Sequence, residues 1–312
     1  MRILILLVLS FVLSFAQAAV VEVSPLPPVT STVPTTATRS VECVAVDDYG
    51  NAYCNATYTW KKYVNRFCCS YQRNFSFRFD SANEIAWLTP AAGKTDTRVT
   101  AVSSDGIHIG GASQGAKASL PVATLWTNGA PAQVIGLQVD AVSNTAYSSG
   151  GAALTYDGMN IKPATCAEVY ALNDLGDGVC HKTIVGSDEN GIARFSDQDT
   201  EDSATAFFAF GTPKTAAINN HGDAVVGFVF YGVPMSIVDY ADGAHYTEEG
   251  ALAADINDSG VYVGALGSTG AVWSSGLPLL LPDTYMINAL NAAGQMACTA
   301  MHSGVRSGCV IR

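Results

Sequence analysis

Apolar and polar positions in this chain alternate in short bursts, not in long helical stripes. The bursts recur around one signature: a small and an apolar residue, then Asn, Asp or Ser, then Gly three positions on, then an alternating apolar stretch. The clearest copy is Ala217-Ile218-Asn219-Asn220-His221-Gly222, followed by Asp223-Ala224-Val225-Val226-Gly227. Further copies open at Ala45, Ala101, Ala171, Asp255 and Ala289, and a degenerate one at Ala141 carries Ala146 where the others carry Gly50, Gly106, Gly176, Gly260 and Gly294. Each signature predicts a β-hairpin. The Asn-type residue opens a turn because its side chain bonds the backbone two residues on. The Gly takes the left-handed conformation that closes a type I turn with a G1 bulge, and the alternating stretch is the return strand. Ala146 in that conformation would cost about 1 kcal/mol, so its turn is expected to differ.

A second strand pair follows most hairpins. Ala123-Thr124-Leu125-Trp126 precedes the turn pair Asn128-Gly129, and Ala271-Val272-Trp273 precedes Ser275-Gly276. Two pairs make a four-stranded sheet per repeat of roughly 40 residues, and such a sheet cannot bury its faces alone. The chain is therefore predicted to be all-β, a β-propeller of about seven four-stranded blades, with an open β-repeat solenoid as the alternative. Beyond the last hairpin only Ser307-Gly308-Cys309-Val310-Ile311-Arg312 remains, while the first hairpin lacks a preceding strand pair. The terminal strand is thus expected to complete the first blade and close the ring.

The first residues set the compartment. Arg2, an apolar run from Ile3 to Phe15 and Ala16-Gln17-Ala18 read as a signal peptide over 1–18, too short to span a bilayer. Residues 19–40, with Pro25, Pro27, Pro28 and Pro34 among Ser, Thr and Val, read as an extended linker, and 41–312 as the propeller. The expected location is secreted: extracellular, periplasmic or at the cell surface. A net charge of −11 argues against nucleic acid or an anionic membrane surface as partner. The 8 Cys read as disulfides. Cys54, Cys180 and Cys298 share one position on the return strand of their repeats. Cys298 with Cys309 is the leading pair, across a turn near Gly304; Cys43 with Cys54 and Cys166 with Cys180 are weaker, since Cys68 or Cys69 could claim Cys43 or Cys54.

At these residues the chain resembles the extracellular HAF-repeat proteins. Leu125-Trp126-Thr127-Asn128-Gly129, Ala217-Ile218-Asn219 and Val225-Val226-Gly227 carry the resemblance, which covers most of Val99 to Val310. The His-Ala-Phe triplet that names the repeat is absent; Thr205-Ala206-Phe207 comes nearest. The resemblance implies a propeller-like extracellular protein and brings no catalytic residue set with it.

The sequence holds no recognisable catalytic constellation. Gly111-Ala112-Ser113-Gln114-Gly115 matches G-x-S-x-G, but it follows a hairpin strand instead of leading from a strand into a helix. Asp197, Asp199 and Glu201, with Asp202, form an acidic cluster that is either a Ca²⁺ site or a solvated loop. No other cofactor is indicated. Asn55-Ala56-Thr57 and Asn74-Phe75-Ser76 fit the N-glycosylation pattern, making Asn55 and Asn74 candidate acceptors. Tyr58 to Phe79 is rich in aromatic and basic residues and is the insertion best placed to carry something specific. The leading functional reading is a secreted binding module for an extracellular glycan or protein. The alternatives are a secreted polysaccharide hydrolase or lyase on the same scaffold, or a structural surface protein.

Overall fold

A computed structural model of the chain describes residues 19–29, 31–64, 67–115, 119–162, 165–183, 190–196, 205–208, 213–274, 277–302 and 304–312. After β1 (Val20–Val23), blade one comprises β2 (Thr38–Val46), β3 (Ala52–Val64), β4 (Phe67–Phe79) and β5 (Ile85–Trp87). Blade two is β6 (Asp96–Val102), β7 (His108–Gln114), β8 (Val122–Thr127) and β9 (Ala130–Gln133). Blade three is β10 (Val139–Val142), β11 (Ala146–Ser149) and β12 (Ala152–Thr155), with a bridge from Leu154 to Asn160 as the remnant of its fourth strand. Blade four is β13 (Cys166–Leu172), β14 (Gly178–Thr183), β15 (Asn190–Phe195) and β16 (Thr205–Phe208); blade five is β17 (Thr215–Ile218), β18 (Ala224–Phe230), β19 (Val233–Asp239) and β20 (His245–Glu249). Blade six is β21 (Ala251–Ile256), β22 (Tyr262–Leu266), β23 (Thr269–Trp273) and β24 (Pro278–Leu281). Blade seven consists of β25 (Met286–Leu290), β26 (Met296–His302) and β27 (Val305–Ile311), with β1 as its outermost strand. All pairings are antiparallel, and the architecture is a seven-bladed β-propeller. No helix among the described residues is long and apolar enough to cross a membrane.

The ring is closed by the opposite end of the chain from the one expected. β27 does not join the first blade; it pairs with β26, and β1 pairs with it from Val20↔Ile311 to Val23↔Gly308. The physical reason is vacancy. The insertion from Tyr58 to Phe79 gives blade one long second and third strands, and Ile85–Trp87 its fourth, so no place is open there. Blade seven has only three strands from the C-terminal end. Val20-Val21-Glu22-Val23 alternates correctly for an edge, and Val23 is buried in the core between blades seven and one. The segment 19–40 is therefore not a spacer throughout: it contributes β1 and then leads into β2. The segment 1–18 lies outside the described residues.

The core is not central but lies between blades. Seven hydrophobic clusters occupy the seven interfaces between adjacent blades, including one that joins Val41 and Phe77 of blade one to Ala297 and Val310 of blade seven. Trp126 and Trp273 hold equivalent third-strand positions and are fully buried. Each indole N–H reaches toward the preceding blade, to Thr89 O at 2.7 Å and Glu248 Oε1 at 2.9 Å. The Gly that ends each Val-Val-Gly-like run has a steric cause: a Cβ at Gly111 or Gly264 would stand 2.0 Å from Arg98 O or 2.1 Å from Leu252 O.

The recurring turn works as the sequence predicts, and it does more. Gly50, Gly106, Gly176, Gly222, Gly260 and Gly294 all have positive φ. Ala146 does not: its turn is shorter, Ser143 N donates to Ala146 O, and Ala146 begins the return strand. In blade five, Asn219 Oδ1 accepts the N–H groups of His221 and Asp223, which forms the turn. Its Nδ2 meanwhile donates to Asn257 O of the next blade at 3.1 Å. The same step runs from Asn173 to Asn219 O, from Asn257 to Asn291 O, and from Asn291 to Asp47 O across the closure. One residue type therefore makes the turn and ties its blade to the next.

All three expected disulfides are present: Cys43–Cys54, Cys166–Cys180 and Cys298–Cys309. Cys54, Cys180 and Cys298 do occupy one shared position, opposite Cys43, Val169 and Ile287 of their inner strands. Cys54 and Cys180 bond inward to the first strand of their blade, and Cys298 outward to the third. Cys69 is a free, exposed thiol on β4. Three disulfides are compatible with an extracellular protein.

Candidate ligand-binding face

In an up-and-down blade, the turns after the first and third strands lie on one face of the ring. The turns after the second strand and the links between blades lie on the other. The Asn-type turns crowd the first face, and their polar groups are engaged with neighbours. Asp174 Oδ1 accepts Asn144 N, Asp258 Oδ1 accepts Asn220 N, and Asp48 Oδ1 accepts Ala292 N.

The seven inner strands line a channel of about 300 Å³. Six of them carry a bulge at Val44, Thr100, Asp140, Tyr170, Ala254 or Asn288. The bulge re-aims the side chain, and Thr100 and Asn288 use it to bond Val139 O and Cys43 O of the next blade. Asp255 stands where most inner strands have Ala. Its carboxylate accepts N–H groups from Ile256 and Leu290 at 2.9 and 2.8 Å, and burial pushes its pKa up to about 7.

Among the described residues, three clefts of about 490 Å³ or more open on the opposite face, beside a smaller one of about 280 Å³ next to Arg39 and Tyr58. One of about 490 Å³ lies between blades one, two, three and seven. Gln72 and Asn74 enter it from β4, Gln114 from β7 and Gln138 from the link into β10. Its charges balance: Arg98 and Arg306 face it with Glu42 and Asp96, and Asp96 is held by Arg73. A second cleft, of about 700 Å³, opens at the channel mouth and includes Asp140, Glu168, Tyr170 and Lys214. Tyr170 OH donates to Glu168 Oε2 at 3.1 Å. Burial pushes the Asp140 carboxyl up, and Glu168 adds to that against the hydrogen bond from Gln138. The third, about 730 Å³, lies where β3 and β4 overhang the segment leading into β2.

The sequence-nominated residues fall unevenly on this map. The side-chain amide of Asn55 is engaged: Nδ2 donates to Val99 O at 2.8 Å, and Oδ1 accepts from Val99 N and Ser76 Oγ. It is a latch between blades one and two. Asn74 lines the 490 Å³ cleft, with Oδ1 accepting from Thr57 and Gln72. Asp197, Asp199 and Glu201 lie outside the described residues. Ser113 of the G-x-S-x-G run is buried one residue before the end of β7, and its Oγ accepts from Thr124 Oγ1 and Ala91 N, so it is a strand residue. Arg98, Arg306, Gln114 and Gln138 were not nominated. They come from three blades, and no local motif joins them.

No family profile and no curated protein matches the chain. Among solved structures it is similar to the Dos1 propeller, at 8% identity over 88% of this chain and 93% of that one, with a TM-score of 0.46. The β-propeller domain of the Trilobed protease from Pyrococcus furiosus covers 88% of this chain and 82% of its own at 10% identity, TM-score 0.38. A quinoprotein alcohol dehydrogenase-like protein from Bacteroides thetaiotaomicron covers 91% and 86% at 7% identity, TM-score 0.39.

Proposed function

We propose that the protein is a secreted binding module that takes a neutral glycan on the face opposite its Asn-type turns. The observation that carries this reading is the 490 Å³ cleft, whose wall combines the amides of Gln72, Asn74, Gln114 and Gln138, beside the engaged amide of Asn55, with balanced charge. Amides both donate and accept, which matches the paired donor and acceptor character of sugar hydroxyls, and a balanced site has no bias toward an ion. The volume is within the range of small-ligand sites. A relationship to the extracellular HAF-repeat proteins belongs to the same proposal, supported by the Ala-Ile-Asn and Val-Val-Gly runs and by the disulfides. Screening neutral oligosaccharides on an array, followed by calorimetry, tests it. Gln72→Ala and Gln138→Ala are each expected to weaken a bound neutral oligosaccharide roughly 2- to 12-fold, the worth of one hydrogen bond.

A second reading, cleavage of polysaccharide, draws on Asp140 and Glu168 at the channel mouth, where burial raises one carboxyl beside another. Polysaccharide turnover that Asp140→Asn abolishes would replace the binding reading.

A further inference from the structure

β3 and β4 each run 13 residues, and only their inner halves belong to the blade. β2 begins opposite Thr59, with Thr38↔Thr59 as its first pair. Beyond that point β3 leaves the ring as part of a two-stranded overhang. The 730 Å³ cleft lies under this overhang, floored by the segment containing Thr36 and Thr38.

We infer that this cleft is a subsite for an acidic glycan, one bearing carboxylate or sulfate groups. The inference rests on the same view of the protein as a glycan binder, but on different residues. Three observations carry it. The charged residues lining the cleft are Lys61 and Lys62, with no carboxylate among them, although the whole chain carries −11. Both lysines are exposed and have no ion-pair partner among the described residues. Trp60 also lines the cleft, held half-buried against the core between blades seven and one and stacked on Tyr71 at 5.7 Å. A fixed indole offers an apolar platform to a sugar ring. Hydroxyls of Thr36, Thr38 and Ser70 surround it and can meet ring hydroxyls. Lys61 and Lys62, which point to alternate faces of β3, put positive charge on both sides of the cleft's rim and select for an anion. This differs from the amide-lined cleft, whose charges cancel.

Lysines on an unpaired strand edge also guard against edge-to-edge aggregation. Lys→Gln substitution keeps the edge polar while removing the charge, so it separates the two roles. The test is calorimetric titration of the full chain and of the K61Q/K62Q variant. The probes are a galacturonic acid tetramer, its methyl ester, a sulfated disaccharide and a short poly-Glu peptide. At least one acidic sugar is expected to bind more tightly than the methyl ester and to weaken with added salt. The variant is expected to lose about 2- to 30-fold on that probe, with the melting temperature and binding of neutral sugar at the amide-lined cleft unchanged. Which acidic sugar binds tells carboxylate from sulfate. Equal binding of the acid and its ester, or no loss in the variant, overturns the inference and leaves the neutral-glycan reading to its own test. Preferential binding of poly-Glu overturns it too, and would point to a peptide added along the open edge of β3.

Discussion

Asn219→Asp separates the two roles of the recurring Asn. The replacement is isosteric and keeps the oxygen that accepts the N–H groups of His221 and Asp223, so the turn retains its internal bonds. It removes the amide N–H that donates to Asn257 O in blade six and to Asp223 Oδ2 at 3.0 Å. Asn257 O keeps the Gly260 N–H at 2.9 Å but loses the bond between blades, which costs about 0.5–1.5 kcal/mol, and the lost bond to the charged Asp223 adds about 1.5–3 kcal/mol. The new carboxylate also faces the Asp223 carboxylate. A total loss of roughly 3 kcal/mol is expected, lowering the melting temperature by about 5 °C for a chain of this size. Blade one is the natural contrast. Asp47 already occupies the equivalent position, and its Oδ2 is satisfied by Asn51 Nδ2 and Tyr53 OH at 2.8 and 2.9 Å. Position 219 has no such donors: the residue four positions on is Asp223, not Asn. Thermal unfolding followed by near-ultraviolet circular dichroism at pH 7 reads the effect. If Asn219→Asp melts with the parent while Asn219→Ala melts early, the turn alone matters and the chain of amides between blades contributes nothing.

Two further outcomes follow from the closure and from the channel. A chain beginning at Ser24 lacks β1 and loses the burial of Val23, worth about 1.5–3 kcal/mol by itself; it should melt earlier than the parent, and an unchanged midpoint would contradict closure by the N-terminal strand. Asp255 holds its proton more tightly in the folded chain, at about 7, than in the unfolded chain, near 3.8. Its contribution to stability is therefore complete below about pH 4 and is lost as the pH rises to about 7. Because the group faces the channel and keeps some solvent, the loss is roughly 2 kcal/mol, not the full value of the shift. Asp255→Asn, uncharged throughout, should flatten the fall of melting temperature between pH 4 and 8; an unaltered slope refutes the assignment.

What the sequence made legible was what is local. The hairpin turn is written in five or six consecutive residues, so the positive φ at Gly222 and its counterparts could be read directly, as could the odd turn at Ala146. Cys298–Cys309 was legible because the two face each other across one hairpin turn, whereas the shared repeat position of Cys54, Cys180 and Cys298 did not fix their partners: the first two bond inward and the third outward. Contacts one repeat away were not legible. The Nδ2 of Asn219 and the whole amide of Asn55 are committed to neighbouring blades, and a pattern of consecutive residues has no signal for that. The triplet around Asn55 fits a glycosylation pattern for the same reason that it makes a latch: Asn is a compact residue that donates and accepts. β1 escaped because four alternating residues are too few to stand out beside a run of prolines. Its identity as a strand comes from the vacancy in blade seven, which exists only once the ring is assembled.

That division also separates the two faces chemically. On the face of the Asn-type turns, Asp48, Ser104, Asn144, Asp174, Asn220 and Asp258 bond one another or accept from the backbone of the preceding blade. Polar groups used this way maintain the ring and offer little to a ligand. On the opposite face, Arg98, Arg306, Lys61 and Lys62 have no ion-pair partner among the described residues, and they stand at the rims of clefts. A charge without a partner adds little to the fold but remains available to a bound molecule. Substitutions on the first face should therefore register as changes in melting temperature, and those on the second as changes in affinity. The insertion of blade one overhangs the second face and packs Trp60 against the core beneath, so substitutions there should register in both.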